Sequence, residues 1–155
     1  MKLLLALDLG TRTGWAIFEG GKPVASGTWL LQSDRQRRFE GAGMKWLRLR
    51  DCLDNVAEGV GRVAIEEVRR HLGVDAAHAY GGALAVVTAW CEAHSVPYEG
   101  IPVATIKKHA TGKGNAKKDA MMAAARAKWP HITLESDDHA DALWIGDLAS
   151  QKEPT

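Results

Sequence analysis

Hydrophobic and polar positions change their period several times along this chain, and each change marks an element. Leu3 to Leu7 is a continuous apolar run that stops on a carboxylate, Asp8. Such a run suits a strand buried on both faces in the middle of a sheet. Gly10 and Gly14 bracket Thr11-Arg12-Thr13 as a tight turn, and a second strand is expected from Gly14 to Glu19. Gly20-Gly21 makes a hairpin turn into a third strand, Pro23 to Leu31. Ser33-Asp34 offers an N-cap, and the spacing predicts one long helix from Arg35 to about Gly59. Its apolar stripe would run through Phe39, Met44 with Leu47, Leu53 and Val56, leaving Arg35, Arg37, Arg38, Arg48 and Arg50 outside. A fourth strand, Arg62 to Glu66, is again mostly apolar and again closes on a carboxylate.

After a connection from Glu67 to Val74, an Ala-rich helix is expected from Asp75 to His94, with Gly81-Gly82 at its middle. Small residues there permit close approach of the sheet or of a second subunit. Val96 to Gly100 predicts a fifth strand. Ile101 to Gly114 reads as a loop with one turn at Thr105 to His109. Asn115 is the expected cap of a helix from Ala116 to Lys128, and Ser136 that of a last helix from Asp137 to about Ser150. The order β-β-β-α-β-α-β-α-α implies a mixed five-stranded α/β sheet, three antiparallel strands plus two parallel ones, with helices on both faces. One domain over residues 1–150 and a frayed tail from Gln151 to Thr155 are expected.

Composition narrows the class without deciding it. Hydrophobic residues at 46% and charged residues at 25% are ordinary for a globular chain of 155 residues. Cys52 and Cys91 fit no metal-spacing motif, so reduced thiols are expected. The apolar start is too short for a signal peptide, and no run approaches the ~20 residues of a membrane span. A cytoplasmic protein with no membrane partner is therefore expected. The net charge of +1 hides an asymmetry. Ile101 to His131 holds seven Lys/Arg and one Asp, whereas Ile132 to Thr155 holds six Asp/Glu and one Lys. A basic segment beside an acidic one fits a polyanion-binding surface around a cation-binding pocket, or two solvated faces.

The carboxylates carry the chemistry. Side chains two apart share a strand face, so Asp8 follows Ala6 and Glu66 follows Ala64, each above a small residue. A right-handed crossover would set these two strands parallel and bring both ends to one edge of the sheet, where ligands bind in open α/β folds. Asp138 and Asp141, three apart in Asp137-Asp138-His139-Ala140-Asp141, project from one helix face. Favourable contact with the helix dipole explains Asp137, and Asp138 in part, but Asp141 less well among its apolar neighbours. Four converging carboxylates repel unless cations neutralise them. Hard oxygen donors suit two Mg²⁺ ions, with Mn²⁺ as a substitute, and such a pair serves phosphodiester hydrolysis. His139 lies about 100° round the helix from Asp138, whose spacing to Asp141 makes it the preferred ligand.

The segments LALDLGTRTGWA, VAIEEV and DDHADALWIG, with the order and spacing of Asp8, Glu66, Asp138 and Asp141, resemble the RuvC family of Holliday-junction resolvases. That resemblance implies an RNase H-like fold, these four carboxylates as metal ligands, and a homodimer that resolves four-way DNA junctions by paired nicks. It further implies 5′-phosphate and 3′-hydroxyl ends. In TIKKHATGKGNAKK, Lys107 and Lys118 correspond to lysines that contact DNA or support catalysis, and Lys108, Lys113 and Lys117 are phosphate contacts or solvated charges. After Glu66 the family commonly places an aromatic that stacks on bases near the junction. Here Val68-Arg69-Arg70-His71 follows Glu66-Glu67 instead, so Arg69 and Arg70 would stack or bind phosphate. Arg12, with Thr11 and Thr13, is a candidate phosphate contact or a plain turn residue. The alternatives are an RNase H-like nuclease on RNA or other branched DNA, and an actin-like ATP-binding module, which LDLGTRTG also resembles.

Overall fold

The structure, a computed structural model, describes residues 2–71 and 73–152. Its sheet has the order β3-β2-β1-β4-β5. β1 (Leu3–Asp8) lies at the centre, antiparallel to β2 (Arg12–Glu19), which in turn pairs antiparallel with β3 (Lys22–Leu30). On the other side β1 runs parallel to β4 (Val60–Glu67), and β4 parallel to β5 (Tyr98–Pro102). The expected mixed sheet is present, with helices on both faces. Leu4 and Ala6 of β1 face one layer, formed by α4 (Val103–Thr111), α5 (Lys118–Lys128) and α6 (Asp137–Ser150). Leu5 and Leu7 face the other, formed by α2 (Met44–Val56) and α3 (Val74–Ala93). Burial on both sides explains why β1 reads as unbroken apolar sequence.

Three sequence expectations are corrected. The single helix from Arg35 to Gly59 is two helices, α1 (Asp34–Phe39) and α2, separated at Gly41-Ala42-Gly43. Two glycines in three residues cost a helix about 2 kcal/mol relative to alanine, and the break lets Arg48 pair with Glu40 and donate to the Leu31 carbonyl at 2.8 Å. The apolar stripe moves accordingly. Phe39 is 82% exposed and Met44 and Leu47 are also exposed, while Leu49 and Leu53 are fully buried. The loop expected between Ile101 and Gly114 contains α4, which Ile106 anchors in the core and Gly112 ends at φ +83°. Asn115 caps nothing: Ala116 is buried ahead of the helix, and α5 starts after Lys117. Ser136 caps α6 as expected, accepting from the His139 N–H at 3.0 Å. Within the expected tail, the N–H groups of Gln151 and Lys152 bond Leu148 and Ala149 carbonyls, and 153–155 lie outside the described residues.

α6 packs near the middle of the sheet because the residues beneath it are small. A Cβ at Gly14 of β2 would stand 1.8 Å from the Asp138 carbonyl oxygen. Further along, Gly146 of α6 meets the buried Phe18 ring, and a Cβ there would come within 2.2 Å of it. Gly81 of α3 has open space where its Cβ would go, but Gly82 lies against Trp46 of α2, so that part of the small-residue stretch serves packing within the chain. The distal end of α6 is held by Asp147, buried and paired with His109 of α4 at 2.7 Å and Lys128 of α5 at 2.8 Å.

These contacts give opposite signs for the same substitution. Gly81→Ala gains helix propensity without a clash and should raise Tm by about 2–4 °C. Gly146→Ala gains the same propensity but overpacks a fixed ring at a cost of about 1–3 kcal/mol. Its Tm should fall, as thermal unfolding by circular dichroism will show; a rise would mean that Phe18 moves freely.

Candidate active site

Strand register places the first two carboxylates. Ala6 of β1 stands opposite Ala64 of β4 and Leu7 opposite Ile65, so Asp8 and Glu66 are the next residues on neighbouring parallel strands. Parity sends both toward the α6 face with Ala6 and Ala64, while Glu67 goes the other way and pairs with Arg69 at 3.3 Å. The close approach at Gly14 brings the first turn of α6 over these strand ends. Asp138 and Asp141 thereby join Asp8 and Glu66: Asp8 feels the other three, and so does Asp141.

The cluster is electrostatically unsatisfied. Burial holds the Asp8 carboxyl well above its usual range, and contact with Glu66, then the charges of Asp141 and Asp138, push the same way. Asp141 is raised to about 7, first by burial and then by Glu66, Asp138 and Asp137. Among the described residues no cationic side chain pairs with Asp8, Glu66 or Asp141. Asp138 is different: its Oδ2 accepts from Arg12 Nε at 2.6 Å. Arg12 Nη2 also reaches Asp137 at 3.0 Å, and Lys118 Nζ reaches the second Asp137 oxygen at 3.2 Å.

This donor set fits hard divalent cations: four carboxyl groups, the buried Asp8 among them, three of which have no cationic partner among the described residues. It is not a finished cage. Among the described residues no three potential ligands already stand in metal-holding positions, and Asp138 is drawn onto Arg12. His139 is not free to join them. It is buried, its Nδ1 accepts from the Glu135 N–H at 3.1 Å, and its Nε2 bonds Ser26 Oγ of β3 at 2.7 Å. Burial lowers its pKa, in keeping with a neutral ring that braces α6 against β3.

The remaining candidates surround the cluster unevenly. Arg12 and Lys118 lie beside the acids, both bound to α6 carboxylates. Lys107 and Lys108 lie on α4, Lys113 in the following turn and Lys117 just before α5, and none of them forms an ion pair among the described residues. Arg69 and Arg70 are exposed beyond β4. Sequence reasoning missed Tyr80 of α3, whose hydroxyl donates to the Glu66 carbonyl at 2.9 Å and accepts from the Val68 N–H at 3.2 Å. It also missed Asp137 as the anchor of Arg12 and Lys118, and Thr28, which bonds Glu135 and Ser136 from β3 at 2.7 Å each.

No family model matches the chain, and no curated protein matches it. Solved structures do. The Thermus thermophilus RuvC in complex with Holliday junction substrate aligns at TM-score 0.72 and 19% identity, over 97% of this chain and 98% of that one. Another Thermus thermophilus RuvC structure aligns at 0.71 and 21%, over 93% and 90%. The yeast mitochondrial Holliday junction resolvase aligns at 0.62 and 13%, over 96% and 78%. The chain has the RuvC-type, RNase H-like fold.

The raised carboxylates fix a pH dependence. Asp8 and Asp141 hold protons more tightly folded than unfolded, so their contribution to stability is full below the ordinary value of 3.8. It is lost as pH rises toward about 7, where Asp141 ionises in the fold. The Tm of metal-free protein should therefore fall between pH 4.5 and 7.5 through this cluster, and Asp141→Asn should raise Tm at pH 7.5 by roughly 2–8 °C. Added Mg²⁺ should raise the wild-type Tm more at pH 7.5 than at pH 5. An Asp141→Asn protein no more stable than wild type at pH 7.5 would refute the repulsion.

Proposed function

We propose that this protein is a metal-dependent structure-selective endonuclease that resolves four-way DNA junctions as a homodimer. The supporting observation is the meeting of Asp8 and Glu66, at the ends of parallel strands, with Asp138 and Asp141 of α6. Asp8, Glu66, Asp138 and Asp141 would hold two Mg²⁺ ions, or Mn²⁺ in their place. When bound, the ions supply Lewis-acid activation of the phosphodiester and offset charge developing on the phosphate during hydrolysis. Ends bearing 5′-phosphate and 3′-hydroxyl groups are the products on this reading.

The chain's own residues divide the remaining work. Asp8 and Glu66 sit on backbone fixed by two ladders, so their positions are set before substrate arrives. Tyr80 holds the backbone on either side of Glu67 and so steadies the end of β4. Arg12 competes for Asp138 and holds the first turn of α6 while the cluster lacks cations. Lys107 and Lys118 orient the strand and balance phosphate charge. Lys108, Lys113, Lys117, Arg69 and Arg70 add sequence-independent phosphate contacts.

The test is cleavage in Mg²⁺ of a synthetic four-way junction beside linear duplex, RNA–DNA hybrid and structured RNA. Junction DNA should be cut preferentially; preference for an RNA substrate would replace this reading with the RNA one. Asp8→Asn should lower the rate by at least about 10²–10³-fold while junction binding persists. Lys107→Ala should reduce the salt slope of binding by about 1. Light scattering of the junction complex should give a two-chain mass, and one chain per junction would rule out paired nicking.

A further inference from the structure

A cleft of about 410 Å³ opens on the α2–α3 side of the sheet, beside the turn that leaves Asp8. Thr11, three residues on from Asp8, forms part of its wall, so this wall and Asp8 are within about 11 Å of backbone. Trp46 of α2 forms another wall. Its indole lies against Gly82, where a Cβ would come within 2.4 Å, so that residue fixes the ring from behind. The Lys45 ammonium stands 4.8 Å from the ring centroid. Arg37 of α1 and His78 of α3 complete the basic part of the lining.

The lining selects among ligands. Arg37 and Lys45 form no ion pair among the described residues, unlike Arg48 on the same segment, so their charge remains available for an anion. Asp34 and Asp75 also line the cleft, which disfavours a bare inorganic anion but supplies acceptors for exocyclic amines. The volume suits a ligand of nucleotide size rather than a single oxyanion. An aromatic wall, two cations and amine acceptors in one cleft are what an unstacked base with its phosphate requires.

Resting on the nuclease reading above, we propose that this cleft receives an unpaired nucleotide of the DNA strand that enters the carboxylate cluster. The base takes the place of the Lys45 ammonium over the Trp46 ring, and the displaced ammonium joins Arg37 on the phosphate. The strand is then gripped on both sides of the reacting phosphodiester, by the α4–α5 lysines on one side and by this cleft on the other.

The test uses a four-way junction with 2-aminopurine at the nucleotides flanking the branch point, titrated with the full chain in Ca²⁺. Wild type should change the 2-aminopurine fluorescence on binding. The Arg37→Ala/Lys45→Ala double variant should bind about tenfold more weakly, with a smaller fluorescence change and a salt slope reduced by about 1–2. Arg50→Ala removes an exposed charge from α2 outside the cleft and should bind within about twofold of wild type. A double variant that binds like wild type, or an Arg50→Ala loss of equal size, overturns the proposal. Cleavage in Mg²⁺ is read separately. A protein that cuts junctions but binds them independently of Arg37 and Lys45 loses only the cleft. One that cuts no nucleic acid, yet shows the fluorescence change and its loss in the double variant, keeps the cleft and loses the nuclease reading.

Discussion

Between the first turn of α6 and β2 there is room at position 14 for a hydrogen atom and nothing larger, since a Cβ would stand 1.8 Å from the Asp138 carbonyl oxygen. The approach is possible because Ala6, Ala16 and Ala64 continue a floor of small side chains in the core on that face. Three contacts from the β3 edge then fasten the helix start: Ser26 to His139, and Thr28 to both Ser136 and Glu135. Without that close seating, Asp138 and Asp141 would not meet the strand-borne acids. The position of the cluster follows from missing side-chain volume in β1, β2 and β4.

Two buried aspartates show how differently the fold treats the same group. Asp147, on α6, is met by Lys128 and His109 and ties α4 and α5 to the helix. Asp8 is comparably buried, yet among the described residues no cation pairs with it, and Glu66, Asp141 and Asp138 crowd it with further carboxyl groups. Burying a charge costs several kcal/mol unless it is paired. A chain that pairs one such acid and leaves the other among like charges accepts a local loss of stability. If the cluster holds cations as proposed, that loss is recovered on binding, because a ligand specific to the folded state stabilises it by mass action.

Sequence pattern revealed the frame and the acids well. The continuous apolar run of β1, the alternation of β3 and the Ser136 cap each have one local reading. Asp8, Glu66 and Asp141 stood out because charge at the end of a buried run or amid apolar neighbours needs a reason. What pattern could not show was tertiary. The break at Gly41-Ala42-Gly43 depends on Arg48 finding Glu40 and the Leu31 carbonyl, partners visible only once α2 has packed. Arg12 read as a phosphate contact or a plain turn residue, with no sign of its partners, because Asp137 and Asp138 lie more than a hundred residues away in sequence. His139 looked like a possible ligand until Ser26 and the Glu135 N–H took its two ring nitrogens. α4 was missed because Ile106 alone carries its burial within a basic segment.

A net charge of +1 would not ordinarily suggest a polyanion partner. Its arrangement matters more than its sum. The cations closest to the acids, Arg12 and Lys118, are engaged by Asp137 and Asp138, so Lys118 would have to leave Asp137 to serve a phosphate. Lys107, Lys108, Lys113 and Lys117 on one side of the sheet edge, and Arg37 and Lys45 on the other, form no ion pairs among the described residues. A strand laid across Asp8 and Glu66 would then meet positive charge before and after the acids and a negative well between them. Its phosphates are repelled at the centre unless cations fill that well. On the nuclease reading, the same geometry that destabilises the metal-free cluster would make strand engagement conditional on metal, with the flanking cations providing affinity and the carboxylates deciding whether the central phosphate can approach.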